Sequence, residues 1–336
     1  MVGQATWKPF HSCHPRIPVN APIPPRLIVI GSANIDLCLN LPRLPKPGET
    51  LGGGAFRQTF GGKGANAAVA AAQAGGVVSF VGCVGADAYG TEMSANLRAR
   101  NVDTTFLETH PTTPTGVAFI FIDDQAQNMI GIAAGANGEV TPKRLDDLRV
   151  YLREADVILI QNEVPDETVL RLLHLAGDNE LMVLYNCAPA RRVPAHLLAE
   201  VEWLVLNESE AAFLAGMPVT NRAEAEIAAR HLAGIGVRHV LITLGVEGVC
   251  VAGPDESFHV PAFPVKAIDT VAAGDTFCGA LAVACGEGRK LPDAVRFASA
   301  AAAISVTRVG AQNAAPTRNE IEAFLNTQKE AGFQAV

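Results

Sequence analysis

A chain of 336 residues with 49% hydrophobic content is long enough to bury a large core in one domain, or in a domain with a modest accessory element. Lys plus Arg total 26 against 34 Asp plus Glu, a net charge of -8 with no strong basic run, which argues against a nucleic-acid surface. It leaves phosphate ligands open, because a few backbone N–H groups hold a phosphate within an acidic protein.

The apolar runs are short or alanine-rich and broken by Gly, Pro or charge, so no membrane span is expected. The seven cysteines (Cys13, Cys38, Cys83, Cys187, Cys250, Cys278 and Cys285) are scattered, with no CxxC pair. That pattern disfavours disulfides and structural zinc, and fits apolar core residues in a reducing, cytoplasmic compartment. Residues 1–24 are proline-rich and lack the apolar stretch and cleavage site of a secretory signal, so a loose extension is expected there, with one domain over 25–336.

RLIVIGSANID (26–36) reads as a buried first strand with polar residues at its C-terminal end. GGKGANAAVAAAQAGG (61–76) reads as a tight turn feeding a closely packed helix that stops at Gly75-Gly76. A strand at 77–85 and a helix over 89–100 follow. Residues 37–60 and 113–134 hold short strand-like pieces and predict a small sheet, inserted in two parts over the edge of the main domain. From residue 141 helices and apolar strands alternate, beginning with a helix in TPKRLDDLRVYLREA and a strand in ADVILIQNE. The last third carries the helices AGDTFCGALAVACGEG and LPDAVRFASAAAAISVTR. This rhythm predicts a mostly parallel sheet covered on both faces, with ligands beyond the C-terminal strand ends.

In KAIDTVAAGDTFCGALAVA (266–284), the small residues Ala272, Ala273 and Gly274 precede a helix starting near Asp275. Unpaired N–H groups and the positive helix end favour an anion there, and small side chains let a phosphoryl group approach the backbone. A carboxylate beside such a cradle can accept a proton while the backbone stabilises the phosphoryl oxygens. The competing reading is that Asp275 only caps the helix. The spacing is not that of a P-loop. Asp269, six residues earlier, suits either a cation or loop N–H groups.

Asn34 and Asp36 lie two apart in a strand and so share a face, an acceptor and a mixed donor–acceptor suited to a polyhydroxylated ligand or to Asx turns. GGKGAN offers Gly62, Lys63 and Asn66 at a helix start, with Lys63 equally readable as a solvated surface lysine. Glu163 follows the strand VILIQ, Asn207 and Glu210 follow VEWLVL, and Thr243 and Gly245 close HVLITLG. The carboxylates suit a water-shelled magnesium nucleotide, or Asn207 or Ser209 caps the next helix. Groups suited to alcohols or phosphate thus recur at separate strand ends, which favours a ligand site over isolated turns.

GGKGANAAVAAAQAGG and DTVAAGDTFCGAL (269–281) resemble the two signatures of the ribokinase-like (PfkB) family of carbohydrate kinases. NESEAAFLAG, ITLG and TRVGAQ extend the likeness over nearly everything after the extension, and GSANID, LPRLPKPGET and QTFGGKGAN strengthen it. The resemblance implies a three-layer α/β/α domain with a β lid, and transfer of the γ-phosphoryl group of ATP to a primary alcohol. D-ribose O5 ranks first, ahead of fructose, a deoxysugar or a nucleoside; a non-catalytic sugar-binding protein is the other class. Asp275 is then the base and Ala272, Ala273 and Gly274 supply the anion hole. Asn34, Asp36, Gly62, Lys63, Asn66 and Glu163 match sugar-holding positions. Asn207, Glu210, Thr243, Gly245 and Ser299 match positions near ATP and Mg2+. Asp269 and the carbonyls around Val271, Ser305, Arg308 and Gly310 match a K+ site, where Ala314 replaces a serine that some relatives use as a ligand. The lid also implies a homodimer interface.

Overall fold

The computed structural model describes residues 23–125, 127–254 and 256–330, so nearly all of the expected extension over 1–24 lies outside the described residues. In chain order, β1 (Arg26–Ile30) leads to β2 (Asn34–Leu41), β3 (Ala55–Gly61), α1 (Lys63–Gln73), β4 (Val77–Gly85), α2 (Ala88–Ala99), β5 (Val102–Asp103) and β6 (Leu107–His110). Next come β7 (Gly116–Asp123), β8 (Asn128–Ala133), α3 (Pro142–Asp147), α4 (Arg149–Glu154), β9 (Val157–Gln161), α5 (Asp166–Asn179), β10 (Val183–Asn186) and α6 (Ala195–Leu198). The remainder is β11 (Trp203–Asn207), α7 (Glu208–Ala215), α8 (Arg222–Gly234), β12 (His239–Thr243), β13 (Val249–Ala252), β14 (Ser257–Val260), α9 (Ala273–Gly286), α10 (Leu291–Ser305) and α11 (Arg318–Glu330).

The main sheet runs in the order β14-β13-β12-β11-β10-β9-β1-β4-β5, parallel from β12 to β5 and antiparallel at the β12–β13–β14 edge. Its central strands are continuous apolar runs because both faces are covered. One core unites Val29, Phe80 and Leu159 with Ala68, Leu281 and Phe297 of α1, α9 and α10; the other unites Ile30, Ile158 and Leu204 with Leu145, Leu172 and Leu232 of α3, α5 and α8. The result is the expected three-layer arrangement. Among the described residues six cysteines are free, and no helix is long and apolar enough to cross a membrane.

A second sheet, β3-β2-β7-β8, forms the separate small element. It starts earlier than the sequence predicts. RLIVIGSANID is not one strand: β1 ends at Ile30, and Asn34 opens β2 in the small sheet. The crossing is held by Gly31 N–H on Val81 O (3.0 Å) and Ala65 N–H on Ser32 O (2.8 Å). Asn34 and Asp36 therefore stand at the start of a lid strand rather than the end of a core strand. TPKRLDDLRVYLREA likewise splits, at Leu148 (φ -96°, ψ 7°), into α3 and α4.

The contact of α1 with α9 positions the site. α1 is mostly alanine, and on α9 Gly279 sits where a Cβ would lie 2.5 Å from Ala67 O and 2.8 Å from Ala71 N. These are backbone atoms of a helix, which cannot rotate aside. Gly279→Ala is expected to force the helices apart and destabilise the protein by roughly 1–3 kcal/mol in denaturant unfolding. An unchanged midpoint would show that the two helices are not pinned there.

Candidate active site

Two helix starts meet over the end of the main sheet. Gly62 precedes α1 with φ 88°, and a side chain there would strike Asn34 N and Ser32 O at 2.8 Å. Lys63 N–H donates to Glu163 Oε2 (3.0 Å), which also accepts from the Ser32 hydroxyl (2.5 Å). Glu163 thereby fastens the end of β9 to the start of α1.

At α9, Ala272 takes the left-handed conformation (φ 57°, ψ 16°), and no side chain caps the helix. Asp275 lies in the first turn, buried at 5% exposure, so it does not cap the helix from the flanking position. Its Oδ2 accepts from Asn66 Nδ2 at 2.9 Å. The Ala273 N–H turns back to Thr270 O (3.3 Å), while those of Ala272, Gly274 and Asp275 have no acceptor among the described residues. A carboxylate and free peptide donors thus share one helix end, the combination needed to take a proton and hold an oxyanion.

The charges confirm the convergence. Burial raises the Asp275 carboxyl above its usual range; the Lys63 ammonium and the Asn66 hydrogen bond oppose that, and Glu163 adds to it. Lys63 is itself raised, chiefly by Asp275. Asp36 is pushed up to about 7 by burial first, then by Glu163 and Asp275. Gly61 leaves room for Asp36: a Cβ there would fall 2.1 Å from its Oδ2. Lys63 is therefore a half-buried counter-ion to these carboxylates.

Asn207 caps α7 in a capping box, accepting Glu210 N–H through Oδ1 (2.9 Å) while its own N–H donates to Glu210 Oε2 (2.8 Å). The capping alternative therefore holds for Asn207. Burial raises the Glu210 carboxyl against the Asn207 N–H and Lys63, so Glu210 still belongs electrostatically to the cluster. The Thr243 hydroxyl donates to Leu206 O (3.3 Å), Gly245 has φ 53°, and Ser299 is buried in α10 with an unpartnered hydroxyl. None of these three hydrogen bonds to the Asp275 cluster.

Asp269 bridges two loops, accepting from Val271 N–H (3.0 Å) and Gly310 N–H (2.9 Å). Ser305 O accepts Arg308 N–H (3.0 Å), the Arg308 side chain bonds Glu320, and Ala314 is buried without a side-chain oxygen. Among the described residues no group of three or more His, Cys, Asp or Glu is placed to hold a metal. Sequence reasoning passed over Ser32, Asn137 and Gln161. Asn137 binds Ala33 and Asn34, and Gln161 Oε1 accepts the Glu163 N–H. Only GSANID, which contains Ser32, carried any signal.

The sequence model of the pfkB family carbohydrate kinases matches residues 24–318. Haemophilus influenzae ribokinase is 40% identical over 299 residues, covering 89% of this chain and 98% of that protein. Salmonella typhi deoxyribokinase is 36% identical over 301 residues, covering 89% and 98%. The solved structure of Arabidopsis thaliana ribokinase complexed with ribose and ATP superposes with a TM-score of 0.84 at 32% identity, covering 90% of this chain and 99% of that one.

The chain belongs to the pfkB family of carbohydrate kinases. Within that family it is an enzyme of the ribokinase type, with the ribokinase-like fold.

Because the Lys63 ammonium opposes the effect of burial on the Asp275 carboxyl, Lys63→Met is expected to move the acid limb of the kcat–pH profile upward. A limb that stays in place would show that Lys63 does not act on the group that titrates there.

Proposed function

We propose that this enzyme phosphorylates the O5 primary hydroxyl of D-ribose with ATP, giving D-ribose 5-phosphate and ADP. The observation that carries the reading is the buried Asp275 carboxylate, held by Asn66 at the same helix end as unpaired N–H groups. Asn34, Asp36 and the start of α1 hold the ring hydroxyls, and Glu163 fixes that helix start. Asp275 takes the O5 proton as the oxygen attacks the γ-phosphorus in line, without a phosphoenzyme. Peptide N–H groups around 272–275 receive the developing charge, and the small sheet closes over the sugar to exclude water.

Asn207, Glu210, Thr243, Gly245 and Ser299 face the nucleotide in this reading. Glu210, already sharing its carboxylate with a peptide N–H, fits a magnesium ion that keeps most of its waters rather than a directly chelated one. Bound magnesium neutralises phosphate charge. Each Asp269 oxygen accepts one N–H and keeps a lone pair, so with the carbonyls of Val271, Ser305, Arg308 and Gly310 it suits K+, which steadies the loop leading to Ala272. The exposed Phe119, Met129, Ile130 and Ile132 of the lid support a homodimer through that sheet, and the free thiols support a cytoplasmic setting.

Salmonella deoxyribokinase, at 36% identity, keeps 2-deoxyribose as the second reading. An ATP-dependent acceptor panel with product identification, run with and without potassium, decides between them; failure to form ribose 5-phosphate would overturn the proposal. In the same assay Asp275→Asn is expected to lower kcat by about 100-fold or more with sugar binding largely kept. Asp36 must be ionised to accept from two hydroxyls, and its carboxyl is pushed up to about 7. The sugar KM is therefore expected to fall by about tenfold from about pH 6 to about pH 8, and Asp36→Asn to abolish that dependence.

A further inference from the structure

Where the chain leaves the main sheet for the lid, three buried groups dictate one another's orientation. The Ala33 N–H can only donate, and it meets Asn137 Oδ1 at 2.8 Å. With its oxygen fixed in this way, Asn137 presents Nδ2 on its other side, where it donates to Asn34 Oδ1 at 2.7 Å. The Asn34 oxygen is held facing Asn137, and Asn34 Nδ2 makes no hydrogen bond among the described residues. One peptide N–H thus sets the polarity of two amides in sequence.

The backbone is shaped around this relay. Gly116 stands opposite Asn34 in the β2–β7 register, and a Cβ there would lie 2.3 Å from both Asn34 Oδ1 and Asn137 Nδ2. Asn137 itself sits in the short turn Gly135–Glu139, where the chain returns from β8, and Ala136 N–H ties that turn to Pro114 O (2.8 Å). Asn34 and Asn137 are 3% and 2% exposed, so water does not compete for their bond.

We infer that Asn137 is a positioning residue that makes Asn34 a hydrogen-bond donor toward the sugar and thereby sets the enzyme's selectivity for a fully hydroxylated pentose. Asp36, two residues along the same strand, is acceptor-only when ionised. A hydroxyl facing the pair gives its proton to Asp36 and receives the Asn34 N–H on its oxygen. A deoxygenated carbon satisfies neither and would cover an amide N–H and a carboxylate oxygen without pairing them, which rejects a ligand far more strongly than a lost methylene does. Were Asn34 free to flip, its carbonyl oxygen would face the same hydroxyl as Asp36, and two acceptors would compete for one proton.

This inference rests on the sugar-binding reading above, and its test separates the two. Sugar KM, kcat and thermal midpoint are measured for wild type, Asn34→Ala, Asn137→Ala and the double variant, with the best acceptor from the panel and its deoxy analogue. Asn137→Ala is expected to raise KM by about tenfold in the wild-type background and by less than about twofold on Asn34→Ala, and to lower discrimination against the deoxy sugar. For Asn137→Ala, kcat is expected to stay within about threefold, since Asn137 bonds to Ala33 and Asn34 and not to Asp275. If Asn137→Ala does not fold, Gly116→Ala replaces it in the cycle, because its methyl separates the two amides without removing either. Equal KM effects in both backgrounds, or an Asn34→Ala variant with unchanged KM, would overturn the inference. A mistaken sugar assignment shows instead in the wild-type panel, whatever the cycle gives.

Discussion

The close packing of α1 on α9 is the constraint on which the site depends. Where Gly279 meets α1 there is no room for a Cβ, so the two backbones approach until Gly279 rests on Ala67 and Ala71. That approach brings the first turn of α1 against the first turn of α9, and Asn66 reaches Asp275 across 209 residues of sequence. The alanine richness of both signatures is therefore a distance requirement. Larger residues would separate the two helix starts and, with them, the two halves of the chemistry.

The same proximity creates an electrostatic cost that the fold distributes. Asp36, Glu163 and Asp275 each raise, or are raised by, one of the others, and Lys63 is the cation set among them. Glu163 is shared between a hydroxyl and a peptide N–H, Asp275 between an amide and the Lys63 charge, and the Asp36 carboxyl is pushed up to about 7. A cluster of this kind suits a polyhydroxylated ligand, whose hydroxyl protons satisfy carboxylates that water no longer reaches.

The layers and most elements were legible because buried parallel strands and amphipathic helices leave clear periodicities. The glycine–lysine turn and the AAGD helix start were legible too, because they need residue types that little else explains. Three features were not. The break after Ile30 is invisible because Ser32, Ala33 and Asn34 prolong a run that contains a single glycine, and the reason for leaving the sheet lies in residues 65 and 81. The break at Leu148 interrupts a sequence with no helix breaker. Asn137 sits in an unremarkable glycine-rich loop, and its partners are 103 and 104 residues away. Local pattern reports periodicity and special backbone needs; a polar side chain's long-range partner leaves no mark in it.

A crystal structure of the protein with ribose and a non-hydrolysable ATP analogue measures the decisive distance. The account requires one Asp275 oxygen to lie about 2.6–3.2 Å from the sugar's primary hydroxyl oxygen, with that oxygen in line with the γ-phosphorus. A bound sugar whose primary hydroxyl faced away from Asp275, with the carboxylate bonded to Asn66 alone, would contradict it.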